Sequence, residues 1–178
     1  MVIIVTGAIG VGKTTVCDKV VKIAQSQGYS CGGIITYKNQ KGDIIIQDVQ
    51  TDETTTLASI SNIYKGPRTA KYFFNPVGID FGIQAIDRGT ASDLLVVDEL
   101  GRLELNGEGF AKVIEENIAG KVENCLMVIR KELLSAFLKH LSVTTSVFET
   151  TINNRNQLPG DIGLILTRET TVESEATI

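Results

Sequence analysis

Val2-Ile3-Ile4-Val5-Thr6-Gly7-Ala8-Ile9-Gly10-Val11-Gly12-Lys13-Thr14 is the stretch that decides the fold class of this chain. A β-branched run, the mark of a strand buried on both faces, stops at a glycine. A helical pattern then begins at Lys13, with Val16, Val20 and Ile23 on one face and Gly28 where a helix C-terminus belongs. Between the two, Gly7 to Thr14 satisfies G-x-x-x-x-G-K-[ST]. Glycines at this spacing let the backbone curl with its N–H groups inward, where side chains would block a phosphate. The helix start adds the positive end of its dipole. In such a loop Gly7, Ala8, Ile9, Gly10, Val11 and Gly12 cradle the phosphates. Lys13 reaches the β- and γ-phosphates, and the Thr14 hydroxyl is a ligand for Mg²⁺.

A loop of this kind needs an acidic partner for the metal at the end of another buried strand. Leu94-Leu95-Val96-Val97-Asp98-Glu99 is the segment of that shape. Asp98 is assigned to the metal, directly or through water, and Glu99 to the attacking water beside the γ-phosphate. Asp98-Glu99-Leu100-Gly101 also spells the D-x-x-G of switch GTPases. The chain has no Asn-Lys pair with which those proteins read guanine, and Arg102 follows the glycine.

Working outward, strands are expected over Cys31–Thr36 and Asp43–Val49, paired as a hairpin, and over Leu126–Ile129 and Val143–Phe148. Helices are expected around Ile79–Gly89, Phe110–Ile118 and Leu133–Leu141. Lys71 to Phe74 reads as an edge strand, Ile162 to Leu166 as a last strand, and Thr51 to Thr56 as a polar stretch without a clear pattern. Strands alternating with helices imply an α/β domain with a mostly parallel sheet covered on both faces. No linker divides the chain, so one domain is expected over residues 1–178, its tail fraying from about Arg168.

Composition bounds the function. At 178 residues, 43% hydrophobic and 21% charged, the chain has the make-up of one globular domain. Its net charge of −4 argues against a large basic face for nucleic acid. No apolar run approaches the ~18 residues of a membrane span, and no signal-peptide pattern opens the chain. Cys17, Cys31 and Cys125 are scattered and odd in number, which fits reduced thiols in a cytoplasmic protein. With His140 the single histidine, His-based metal sites and triads are set aside.

The two motifs together make the chain resemble the cancer-related nucleoside-triphosphatase family, small P-loop proteins also found in thermophilic prokaryotes. The resemblance rests on Gly12-Lys13-Thr14-Thr15 and on Asp98-Glu99-Leu100-Gly101-Arg102-Leu103-Glu104-Leu105. It extends to Asn154-Arg155 near the C-terminus, where Asn156 replaces the family's acidic residue. It implies a RecA-like, three-layer P-loop fold and Mg²⁺-dependent hydrolysis of nucleoside triphosphates with loose base preference. Thr15 joins the nucleotide-binding residues by this resemblance.

Arg102 follows the acidic strand closely enough to serve as an internal arginine finger on the γ-phosphate. Asn154 and Arg155 lie in a loop placed to pack against the base. The expected catalytic set is therefore Glu99, Lys13 and Arg102. Two other activities use the same motifs: a nucleotide or nucleoside kinase, and a nucleotide-dependent switch with Thr51–Ile63 as its moving part. Kinases usually close an arginine-rich lid, and six arginines are thinly spread here. Protein partners are not legible in the sequence.

Overall fold

The computed structural model describes residues 1–118, 122–141 and 143–175, apart from the side chains of Glu99, Asn117, Ile118 and residues 167–175. One eight-stranded sheet runs in the order β5-β4-β3-β2-β6-β7-β1-β8. Its parallel part joins β2 (Cys31–Lys38), β6 (Leu94–Leu100), β7 (Cys125–Ile129), β1 (Val2–Thr6) and β8 (Thr145–Glu149). The antiparallel part adds β3 (Ile44–Asp48), β4 (Thr54–Ser59) and β5 (Phe73–Phe74) beyond β2.

Every residue of β1 is buried, as a strand covered on both faces requires. Its side chains alternate between two cores. Ile3 and Val5 meet α1 (Lys13–Ser26) and α6 (Leu158–Glu175) through Val16, Val20 and Ile162. Val2 and Ile4 belong to the opposite core, with Ile86 of α2 (Pro76–Gly89), Ile114 of α4 (Ala111–Ile118) and Phe137 of α5 (Leu134–His140). Each such Ile, Leu or Val contributes about 1.5–3 kcal/mol of burial. Central strands apolar on both faces, helices apolar on one: this is the three-layer α/β arrangement expected.

Two segments differ from expectation. Residues 162–166 are helical, not a strand, because Leu158, Ile162 and Leu166 at helical spacing pack onto the α1 side of the sheet. The helix α6 to which they belong runs to Glu175. The polar run Thr51–Thr56 passes from Thr54 onward into strand β4, whose second half buries Leu57, Ala58 and Ser59 against the sheet. A short helix α3 (Arg102–Leu105) also follows β6 without having been anticipated.

Among the described residues no helix is long and apolar enough to cross a membrane. Cys17, Cys31 and Cys125 are buried free thiols. Burial pushes the Cys31 thiol up to about 11 and that of Cys125 to about 12, so neither is a ready nucleophile.

The turn between β3 and β4 hangs on a buried carboxylate. Asp48, fully buried, accepts from Arg88 Nη2 at 2.7 Å and from the Gln50 amide at 2.8 Å. Removing the cation leaves that charge short of a partner. Arg88→Ala is therefore expected to cost about 1.5–3 kcal/mol, the worth of a charge-assisted hydrogen bond, read as a lower urea midpoint with unchanged slope.

Candidate active site

The carboxyl ends of β1, β6, β7 and β8 lie along one edge of the sheet because these strands run parallel. Ligands of open α/β sheets bind at such an edge. Here β1 passes into Gly7, β6 delivers Asp98, β7 leads to Arg130 and β8 to Thr150.

The loop owes its path to its glycines. Gly7 has φ +148°, and a Cβ there would lie 2.6 Å from the Thr150 carbonyl oxygen, so the loop is pressed against the end of β8. Gly12 caps α1 with φ +106°, a left-handed conformation that turns the chain into the helix. Lys13 Nζ donates to the carbonyls of Gly7 at 3.0 Å and Ala8 at 2.8 Å, so its ammonium lies against the loop itself.

Asp98 is fully buried at the heart of the site. Thr14 Oγ1 donates to its carboxylate, 3.0 Å from Oδ2 and 3.3 Å from Oδ1. The backbone N–H and hydroxyl of Thr36, at the end of β2, donate to Oδ2 at 3.0 and 3.1 Å. A buried carboxylate is costly unless hydrogen-bonded in this way. Two residues assigned to one metal from sequence are thus in direct contact. Thr36, not foreseen as a site residue, completes the cluster with a third hard oxygen.

A cavity of about 370 Å³ opens over this cluster, lined by Gly10, Gly12, Lys13, Thr14, Thr15 and Asp98 among others. Ile9, Lys38 and Arg130 line it too, and also a larger neighbouring cavity. Arg102, the first residue of α3, faces that neighbour and not the cavity over the loop. Arg130 is therefore a cation that sequence reading missed. Its signal was available: it is the first residue after a buried strand parallel to β1. Glu99 follows Asp98 in β6, and its side chain lies outside the described part of the structure.

The sequence profile of the NTPase family matches residues 2–163. The chain belongs to this family. It is 34% identical over 170 residues to the nucleoside-triphosphatase THEP1 of Methanosarcina acetivorans, covering 90% of this chain and 93% of the relative. The crystal structure of THEP1 from Aquifex aeolicus superposes with a TM-score of 0.72 at 21% identity, covering 94% of this chain and 99% of that one. The solution structure of a human cancer-related nucleoside triphosphatase gives 0.71 at 20% identity, with 93% and 97% covered. The fold expected from the two motifs is that of both structures.

Within this NTPase, the pair Asn154–Arg155 divides in two. The Asn154 side chain accepts from the Thr151 amide at 2.8 Å and donates to the Glu149 carbonyl at 2.8 Å. It thereby holds the turn between β8 and α6. Arg155 reaches the phosphate loop: a Cβ on Gly12 would lie 3.7 Å from its Cδ. Glu104 is occupied with structure, its carboxylate accepting from the Gly101 amide at 2.8 Å and the Phe110 amide at 3.3 Å. That cap starts α3 and sets the direction of Arg102.

Proposed function

We propose that the chain hydrolyses nucleoside triphosphates to nucleoside diphosphates and phosphate in a Mg²⁺-dependent reaction with loose base preference. The observation that supports it best is the contact of Thr14 and Asp98 beneath a glycine-rich loop against which the Lys13 ammonium lies. The donor set fits the metal. Hydroxyl and carboxylate oxygens suit a hard cation, and Mg²⁺ is ordinarily held by one or two carboxylates together with substrate phosphates. Thr14 and Asp98 are the residues that would hold it, and when bound it neutralises charge on the β- and γ-phosphate oxygens.

The chain's own groups do the rest. The amides of the loop and the α1 N-terminus orient the phosphates. Lys13 leaves two backbone carbonyls for the β/γ-phosphates. Glu99 accepts a hydrogen bond from the attacking water and aligns it with the terminal phosphorus. Arg130, from the wall shared by both cavities, and Arg102, from the adjacent one, are the cations at hand for charge developing on the γ-phosphate. Arg155 stacks against the base without reading its edge. The buried free thiols suit a reducing compartment such as the cytoplasm.

Phosphate release with ATP, GTP, CTP and UTP tests this directly. Turnover should vanish in excess chelator and return with Mg²⁺ or Mn²⁺. The four triphosphates should differ by less than ~3 kcal/mol in transition-state stabilisation, the scale of one or two good hydrogen bonds. Full activity in chelator overturns the metal assignment, and a preference of several thousandfold for one base overturns the loose selectivity.

A further inference from the structure

The cavity beside the phosphate loop is the larger of the two, about 530 Å³ against about 370 Å³, and lies in the size range of small-molecule sites. Its wall carries Lys38, Arg68, Lys71, Arg102 and Arg130 against one carboxylate among the described residues, Glu104. That carboxylate is held by backbone amides of Gly101 and Phe110. Among the described residues Lys38, Arg68, Lys71 and Arg102 form no ion pair. In a chain of net charge −4, four cations left unpaired around one cavity are a local field for an anion.

The remainder of the wall is apolar, with Ile44, Leu57, Phe74 and Phe110. Tyr72 joins it, 8% exposed, its buried hydroxyl without a partner among the described residues. A buried hydroxyl left unpaired is costly, so a polar atom from a ligand or an ordered water is called for. The Lys71 ammonium lies 5.4 Å from the centre of the Tyr72 ring. Charge therefore stands directly beside an aromatic surface.

We propose that this cavity binds a second small molecule, a phosphate monoester carrying an aromatic or apolar body, alongside the nucleoside triphosphate. Its position relative to the triphosphate rests on the function proposed above; its chemistry rests on its own wall. A phosphate monoester carries about −1.5 to −2 charges at neutral pH, and arginine matches its oxygens in pairs. The aromatic and aliphatic wall takes the body. Because Ile9, Lys38 and Arg130 line both cavities, the second molecule borders the triphosphate.

Calorimetry with AMP, CMP, ribose 5-phosphate and inorganic phosphate, each with and without a non-hydrolysable ATP analogue, tests the site. The analogue occupies the phosphate loop, so a monophosphate bound in its presence is bound elsewhere. Arg68 and Lys71 are exposed and outside the proposed catalytic set. Arg68→Ala/Lys71→Ala should weaken AMP or CMP at least about tenfold while leaving the analogue's affinity within about threefold. AMP or CMP should bind more tightly than ribose 5-phosphate and inorganic phosphate. The site is overturned if neither nucleoside monophosphate binds to the analogue-loaded protein, or if the double variant binds them unchanged. Equal binding of inorganic phosphate overturns the aromatic-body assignment. Should the analogue itself fail to bind, the proposed function falls, and the double variant still decides the second site with the monophosphates alone.

Discussion

Lys13→Ala is expected to remove measurable triphosphate binding and to lower hydrolysis by about 10²–10³-fold or more, the cost of deleting one preorganised donor to developing charge. The fold should survive. The lysine ammonium donates to carbonyls of its own loop, those of Gly7 and Ala8, and not into the core. The apolar residues of α1 that bind it to the sheet, Val16, Val20 and Val21, are untouched. Lys13→Arg is the sharper control: it keeps the charge but places a planar fork where a compact ammonium belongs. Titration calorimetry with ATP, paired with circular dichroism, checks both. Unchanged ATP affinity in Lys13→Ala would refute the phosphate-loop assignment.

The second large effect is expected at Glu99. Gln is nearly isosteric with Glu but neither takes a proton nor aligns water as strongly. Glu99→Gln should lose about 10²–10⁴-fold in single-turnover hydrolysis, or about 3–5 kcal/mol of barrier. Its triphosphate affinity should stay within about tenfold. Its neighbour should fail in another way. Asp98 is fully buried and accepts from Thr14 and from both donors of Thr36. Asp98→Asn replaces that acceptor by an amide with no charge for the metal, so it should raise the Mg²⁺ concentration needed for activity. A parental rate in Glu99→Gln would show that another group orients the water. Glu104 is poorly placed to inherit the role, since its carboxylate caps α3 and reaches the Phe110 amide.

What the sequence determined by itself is local. The glycine spacing of the phosphate loop, the β-branched run before it, the helical stripe after it and the apolar strand ending in Asp98 can each be read within a dozen residues. Such patterns reflect backbone sterics and one-face or two-face burial, and they do not wait on distant partners. They sufficed for the fold class, for most strands and helices, and for the contact of Thr14 with Asp98, 84 residues apart in the chain.

Only the tertiary structure decided the rest, and the reasons differ from place to place. Ile162 to Leu166 is a short apolar run whose period is ambiguous, and packing against α1 and the sheet made it helical. Thr54 to Ser59 looks polar because it opens with three threonines, the first exposed and the next two half-buried, yet hydrogen bonding to β3 makes it a strand. Thr36, Lys38 and Arg130 carry no motif. They reach the site because parallel pairing brings the ends of β2 and β7 to the same edge as β1. Arg102 sits one residue beyond a motif glycine, but the Glu104 cap that starts α3 turns it toward the neighbouring cavity. Charge from five separate points of the chain meets around that cavity, and sequence spacing carries no record of such a meeting because it is made by the register of the sheet.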